Sequence, residues 1–156
     1  MFQSKRSTVS GLRKATDFRR LILSSSALTL AVMSPAYAED LPTGASVAAG
    51  QVAMAQSGSA LNINQTTDKA IINWQTFDIA SGASVNYTLP NSKSFTLNRV
   101  IGDDPSKIFG SLTSNGQIYL LNPRGILFGA GSRVNAAGLV ASTMAMKDED
   151  FLASRY

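Results

Sequence analysis

Gly116-Gln-Ile-Tyr-Leu-Leu-Asn-Pro-Arg-Gly-Ile-Leu-Phe-Gly129, followed shortly by Val134-Asn-Ala-Ala-Gly-Leu-Val140, is the stretch of the 156-residue chain that decides its fold. Its apolar runs are far too short for helices, and single Gly or Asn residues separate them. Such corners admit positive φ and let neighbouring segments approach closely. Seven glycines (Gly102, Gly110, Gly116, Gly125, Gly129, Gly131, Gly138) fall between positions 102 and 138. A chain that turns so often fits either an antiparallel sandwich or barrel, or a β-solenoid whose coils stack in parallel. Turn chemistry favours the solenoid. Hairpins prefer Asn-Gly or Asp-Gly, and Asn115-Gly116 is the one such dipeptide after residue 38.

The same grammar continues upstream. In 84–89, Val85, Tyr87 and Leu89 alternate strictly with Ser84, Asn86 and Thr88, the period of a half-buried strand. Further strands are expected at 61–63, 70–74, 95–100, 117–121, 126–128 and 138–142, and no run of ten residues has helical periodicity with caps. The corner Asn122-Pro123-Arg124-Gly125 has a mechanical reading. Asn bonds its own backbone two residues on, Pro presets φ, Gly completes a type I turn, and Arg124 is presented at the tip between two buried strands.

Charge is segregated. Lys5, Arg6, Arg13, Lys14, Arg19 and Arg20 stand against Asp17 in the first 38 residues, whereas the remainder holds eight basic and nine acidic side chains. The overall net charge of +4 therefore belongs to the N-terminus, and no nucleic-acid partner is expected once that segment is removed. A basic region ending at Arg20, thirteen mostly apolar residues at 21–33, and Ser34-Pro-Ala-Tyr-Ala38 before Glu39 have the order of a secretory signal, with Ala36 and Ala38 marking cleavage ahead of Glu39. Thirteen residues are too few for a membrane span, which needs about 20. Residues 1–38 are thus read as a signal peptide with a long basic n-region that engages the Sec export machinery. Residues 39–156 are read as one small domain.

With no Cys and no His, the chain lacks thiolate and imidazole chemistry: no disulfides, no Cys nucleophile, no histidine base or metal ligand. No cofactor is expected. Asp103-Asp104 and Asp148-Glu-Asp150 lack the alternating ligand spacing of a calcium loop and read as solvated turns. The absence of disulfides also suits a polypeptide threaded unfolded through a narrow pore.

Five motifs, in order, closely resemble the N-terminal two-partner secretion domain of filamentous-haemagglutinin-type exoproteins. They are Leu61-Asn-Ile-Asn-Gln-Thr-Thr-Asp-Lys-Ala-Ile-Ile-Asn-Trp-Gln-Thr-Phe-Asp-Ile79, Leu97-Asn-Arg-Val-Ile-Gly102, Ser106-Lys-Ile-Phe-Gly110, Gly116 to Gly129 as quoted, and Val134-Asn-Ala-Ala-Gly-Leu-Val-Ala-Ser-Thr143. The resemblance implies an all-β, right-handed parallel β-helix with short capping and extra-helical strands. It also implies a secretion-targeting module that directs a large exoprotein or adhesin to the cell surface or medium. The implied partner is a cognate outer-membrane β-barrel transporter, whose periplasmic domains bind the module. Where the family carries Asn-Pro-Asn-Gly this chain has Asn122-Pro123-Arg124-Gly125, and the family's second Asn-Pro motif has no match.

Roughly five coils are expected from about 20–25 residues per coil, and the domain reads as truncated at its C-terminus. Host-cell receptors or glycans would be met by a downstream region. For transporter recognition the expected residues are the turn, Asn122 to Gly125, and a strand-adding segment with Asn62, Asn64, Gln65, Asn73 and Trp74. Two other functions fit the architecture: a glycan-binding adhesin surface, and a β-helix polysaccharide-degrading enzyme. The enzyme would need clustered carboxylates, and no paired set is evident.

Overall fold

The computed structural model describes residues 41–155. The expected cleavage site at Ala36, Ala38 and Glu39 lies outside them. Twelve strands and one short helix follow in order: β1 (Ser46–Ala49), β2 (Val52–Ser57), β3 (Ala60–Gln65), β4 (Lys69–Trp74), β5 (Ser84–Thr88), β6 (Phe95–Val100), β7 (Ser106–Ile108), β8 (Ser111–Ser114), β9 (Gln117–Leu121), β10 (Ile126–Phe128), β11 (Arg133–Asn135), β12 (Gly138–Ser142) and α1 (Asp148–Leu152).

They wind into a parallel β-solenoid of about four turns. One face stacks β3, β5, β8 and β11, a second stacks β4, β6, β9 and β12, and a third pairs β7 with β10. All these pairings are parallel. That excludes the antiparallel sandwich or barrel. Rung partners lie 20 to 29 residues apart, from Ile126↔Ser106 to Ile108↔Ile79. Fewer coils form than the length suggests because β1 and β2 do not make a coil. They run antiparallel to β4 and β3 and cover the first turn, with β2 and β3 joined through Gly58-Ser59. Gly58 there has φ +54, so this hairpin uses a turn other than Asn-Gly. Asn115-Gly116 instead makes a coil corner, where the Asn115 amide accepts from Leu89 N–H at 2.7 Å and donates to its carbonyl at 2.7 Å.

Period-two alternation sends one residue in two inward, and register stacks the inward residues of successive coils in columns. Leu61, Val85 and Leu112 stack on one face, Ile72, Asn98 and Leu120 on the second, and Ile79 with Ile108 on the third. All of them are buried. Burying each aliphatic side chain in such a column contributes roughly 2 kcal/mol. Trp74 and Phe77 meet edge to face at 5.5 Å inside the coil, as core residues.

The expectation that 126–128 is a buried strand is corrected: Leu127 is 53% exposed and Phe128 38%. Among the described residues β10 is the last rung of its two-stranded face, and none of their strands covers its free side. The strands β1, β2, β7, β8 and β11, not foreseen from pattern, are mostly small or polar, and their partners rather than their own sequence hold them extended.

Coil stacking also explains a glycine. A Cβ at Gly110 would collide with the carbonyl oxygens of Ala80 and Ala83 in the preceding coil, so the close approach of the two corners requires its absence.

One polar cluster ties the interior together. Asn98, fully buried, accepts hydrogen bonds at Oδ1 from Trp74 Nε1 at 2.9 Å and Tyr87 OH at 2.6 Å, and its Nδ2 donates to the Tyr119 carbonyl at 3.4 Å. Burial pushes the Tyr87 hydroxyl far above the ordinary tyrosine range.

Candidate functional site

The turn Asn122 to Gly125 forms between β9 and β10 as its sequence requires. Gly125 N–H donates to the Asn122 carbonyl at 3.0 Å, the Asn122 side-chain oxygen accepts from Arg124 N–H at 2.9 Å, and Gly125 sits at φ +114. The side-chain amide does more than local work. Its Nδ2 donates to the Asp104 carbonyl at 3.0 Å and to Ser106 Oγ at 3.0 Å, both in the preceding coil. Its backbone N–H donates to Ser142 in the following coil at 3.0 Å. Asn122 is fully buried, so one residue makes the turn and clamps three coils.

Arg124 projects outward as expected and finds a partner the sequence did not suggest. Its Nη2 lies 2.7 Å from Asp103 Oδ1, with the two side chains 57% and 91% exposed. The 21-residue spacing of this pair, one coil, was the available signal. Beside the turn a half-open cleft of about 390 Å³ is lined by Ile101, Leu121, Pro123, Met144 and the two arginines Arg99 and Arg124, among others. Ile101 and Met144 are largely exposed, which makes the rim of the turn apolar as well as charged.

The second expected segment is not one surface. Asn62 and Asn64 point outward from β3. Asn62 accepts from the Asn86 amide at 3.1 Å, and Asn86 in turn accepts from Thr113 Oγ at 2.7 Å, giving a polar ladder across three coils. Gln65 and Trp74 point inward and are buried. Gln65 binds the Thr67 and Phe95 carbonyls and Thr96 Oγ. Asn73 is half-buried and accepts from Arg99 at 3.3 Å. Because β3 lies between β2 and β5, and β4 between β1 and β6, neither strand has a free edge in the folded domain. Strand addition here is open only to a chain that has not yet folded.

The carboxylates are dispersed. Asp68 accepts from Ser94 and Asn91, Asp78 from Lys107 N–H, and Asp148 and Asp150 pair with Arg99 and Arg155. No group of three metal-ligating side chains occurs among the described residues.

Residues 38–156 match the TPS secretion domain family, and the chain is a member of that family. It is 41% identical over 108 residues to a heme/hemopexin-binding protein of Haemophilus influenzae strain Rd, and 45% identical over 83 residues to another from Haemophilus influenzae. Those alignments cover 69% and 53% of this chain but 12% and 9% of the relatives' length. The crystal structure of the HMW1 secretion domain from Haemophilus influenzae superposes with a TM-score of 0.70 at 35% identity, covering 72% of this chain and 30% of that one. Two-partner secretion exoproteins of this kind are secreted or cell-surface proteins exported via the periplasm.

Proposed function

We propose that this domain is the targeting module of a large two-partner exoprotein, captured in the periplasm, while still unfolded, by the periplasmic domains of a cognate outer-membrane β-barrel. The match to the secretion domain family over residues 38–156 carries this reading. The heme and hemopexin binding in the relatives' names belongs to those proteins, of which the aligned part is 12% and 9% of the length. Capture precedes folding in this proposal because β3 and β4 lose their edges once the coils close.

The test has two parts. Residues 1–156 fused to a reporter and co-expressed with the barrel should deliver the reporter to the medium, and without the barrel it should stay in the periplasm. Reporter retained in both strains would overturn the targeting role. Peptides spanning 58–82, titrated with isolated periplasmic domains, then examine the mode of capture. The parent and Thr67→Ala peptides should bind alike, and Ile72→Pro should bind at least roughly tenfold more weakly, having lost a backbone donor. Equal affinity for the Pro peptide would refute strand addition.

A further inference from the structure

The outer face of a solenoid sheet meets water and is ordinarily polar. On the β4–β6–β9 face it is not: Ile71, Leu97 and Tyr119 stack in register on the outside and are nonetheless buried. Residues 144–155 cover them. Phe151, fully buried, sits on this strip with its ring 5.7 Å from that of Tyr119 at 71°, and Met146 flanks it. The cluster is separate from the solenoid interior.

Two basic side chains bind the segment from beneath. Lys69 Nζ donates to the Phe151 carbonyl at 3.0 Å, the Leu152 carbonyl at 2.7 Å and Ser154 Oγ at 2.6 Å, at the end of α1 where the Phe151 carbonyl also accepts from Ser154 N–H. Arg99 Nη2 donates to the Met146 carbonyl at 2.8 Å and pairs with Asp148 at 2.6 Å. These anchors come from three successive coils: Lys69 and Ile71 from the first, Leu97 and Arg99 from the second, Tyr119 from the third. The seat therefore does not exist until three coils have stacked. α1 has five residues and no side-chain cap at its N-terminus, far below the length at which a helix is stable alone. It is ordered by docking.

We propose that residues 144–155 are a folding latch. The segment seats as a unit on a completed three-coil array, staples those coils from outside, and opens as a unit without unfolding the interior. Its seat is assembled from residues up to 82 positions away from Phe151, so latch closure reports that the array is complete. In the export reading above, closure would mark the point past which the domain no longer slips back. That consequence rests on the targeting role, whereas the latch itself does not.

The Cys-free chain permits a direct test. A single thiol is placed under the latch by Leu97→Cys, or in the interior by Leu112→Cys, and its labelling by a thiol reagent is timed under native conditions in the full 156-residue chain. The thiol under the latch should label at least roughly tenfold faster than the interior one, because local opening lies below global unfolding. Adding Phe151→Ala should accelerate labelling under the latch on the order of hundredfold, as expected for emptying a buried aromatic site, and in the parent labelling there should hardly change with urea below the unfolding transition, because opening the latch exposes little surface. Phe151→Leu should restore most of the protection. Ile71→Cys serves as the reporter if Leu97→Cys does not fold. Equal labelling of the outer and interior thiols in the parent, or labelling under the latch that rises with urea as steeply as that of the interior thiol, would overturn the latch. The readout needs no transporter, so it stands or falls apart from the secretion role.

Discussion

Asn122→Ala is expected to lower stability by about 3 kcal/mol and to slow export strongly, while Arg124→Asn changes stability by no more than about 0.5 kcal/mol. The first substitution removes the acceptor for Arg124 N–H and the donor to the Asp104 carbonyl and Ser106 Oγ, all at a fully buried position. Each lost bond is worth about 1 kcal/mol, and partners left unsatisfied raise that cost. The turn alone would account for one of the three. Arg124 loses only an ion pair whose members are 57% and 91% exposed, and such pairs contribute little in water. Urea unfolding gives the stabilities, and pulse-chase secretion with the barrel co-expressed gives the export rates. Normal stability with blocked export in Arg124→Asn would mean that the transporter reads the guanidinium itself.

The largest loss is expected from Asn98→Ala, about 4 kcal/mol, since it opens a cavity and leaves the Trp74 N–H and Tyr87 hydroxyl without their acceptor. Trp74, Tyr87 and Asn98 come from β4, β5 and β6, so the cluster joins two coils, and the Asn98 bond to the Tyr119 carbonyl reaches a third. The same cluster predicts an alkaline response. Folded Tyr87 holds its proton because burial disfavours the phenolate, whereas the unfolded chain releases it near the ordinary value of 10.0. Above that pH the unfolded state binds fewer protons than the folded state. Stability contributed by this group is therefore intact below about pH 10 and declines as pH rises further. Urea titrations at about pH 8 and about pH 11, either side of the ordinary tyrosine value, should show a larger loss for the parent than for Tyr87→Phe. Equal losses would place the alkaline sensitivity elsewhere.

The candidate site was half legible. The turn residues announced themselves because Asn, Pro and Gly each impose a local backbone preference that needs no partner. Asp103, Asp104 and Ser106 did not, since what brings them to Asn122 and Arg124 is one coil of solenoid. What folding does to the expected recognition segment was not legible either. Asn62, Gln65 and Trp74 are near neighbours in sequence, but strand alternation and coil closure send Gln65 and Trp74 inward and leave Asn62 outside.

What the amino-acid sequence determined by itself was the class of fold: short apolar runs, glycine and asparagine corners, and period-two alternation in β5 dictate a chain that turns every few residues, and its corners favour parallel coils over hairpins. The number of coils, the antiparallel cover and the latch were decided only in three dimensions. β1 and β2 carry residues like those of the weaker coil strands, and β2 folds back because the two-residue link Gly58-Ser59 allows only an antiparallel return onto β3, whereas parallel stacking needs a whole coil between partners. Phe151, likewise, is one aromatic in an acidic stretch. It becomes a core residue because Ile71, Leu97 and Tyr119, from three different coils, present one apolar strip, and burying that strip is the only way to remove it from water.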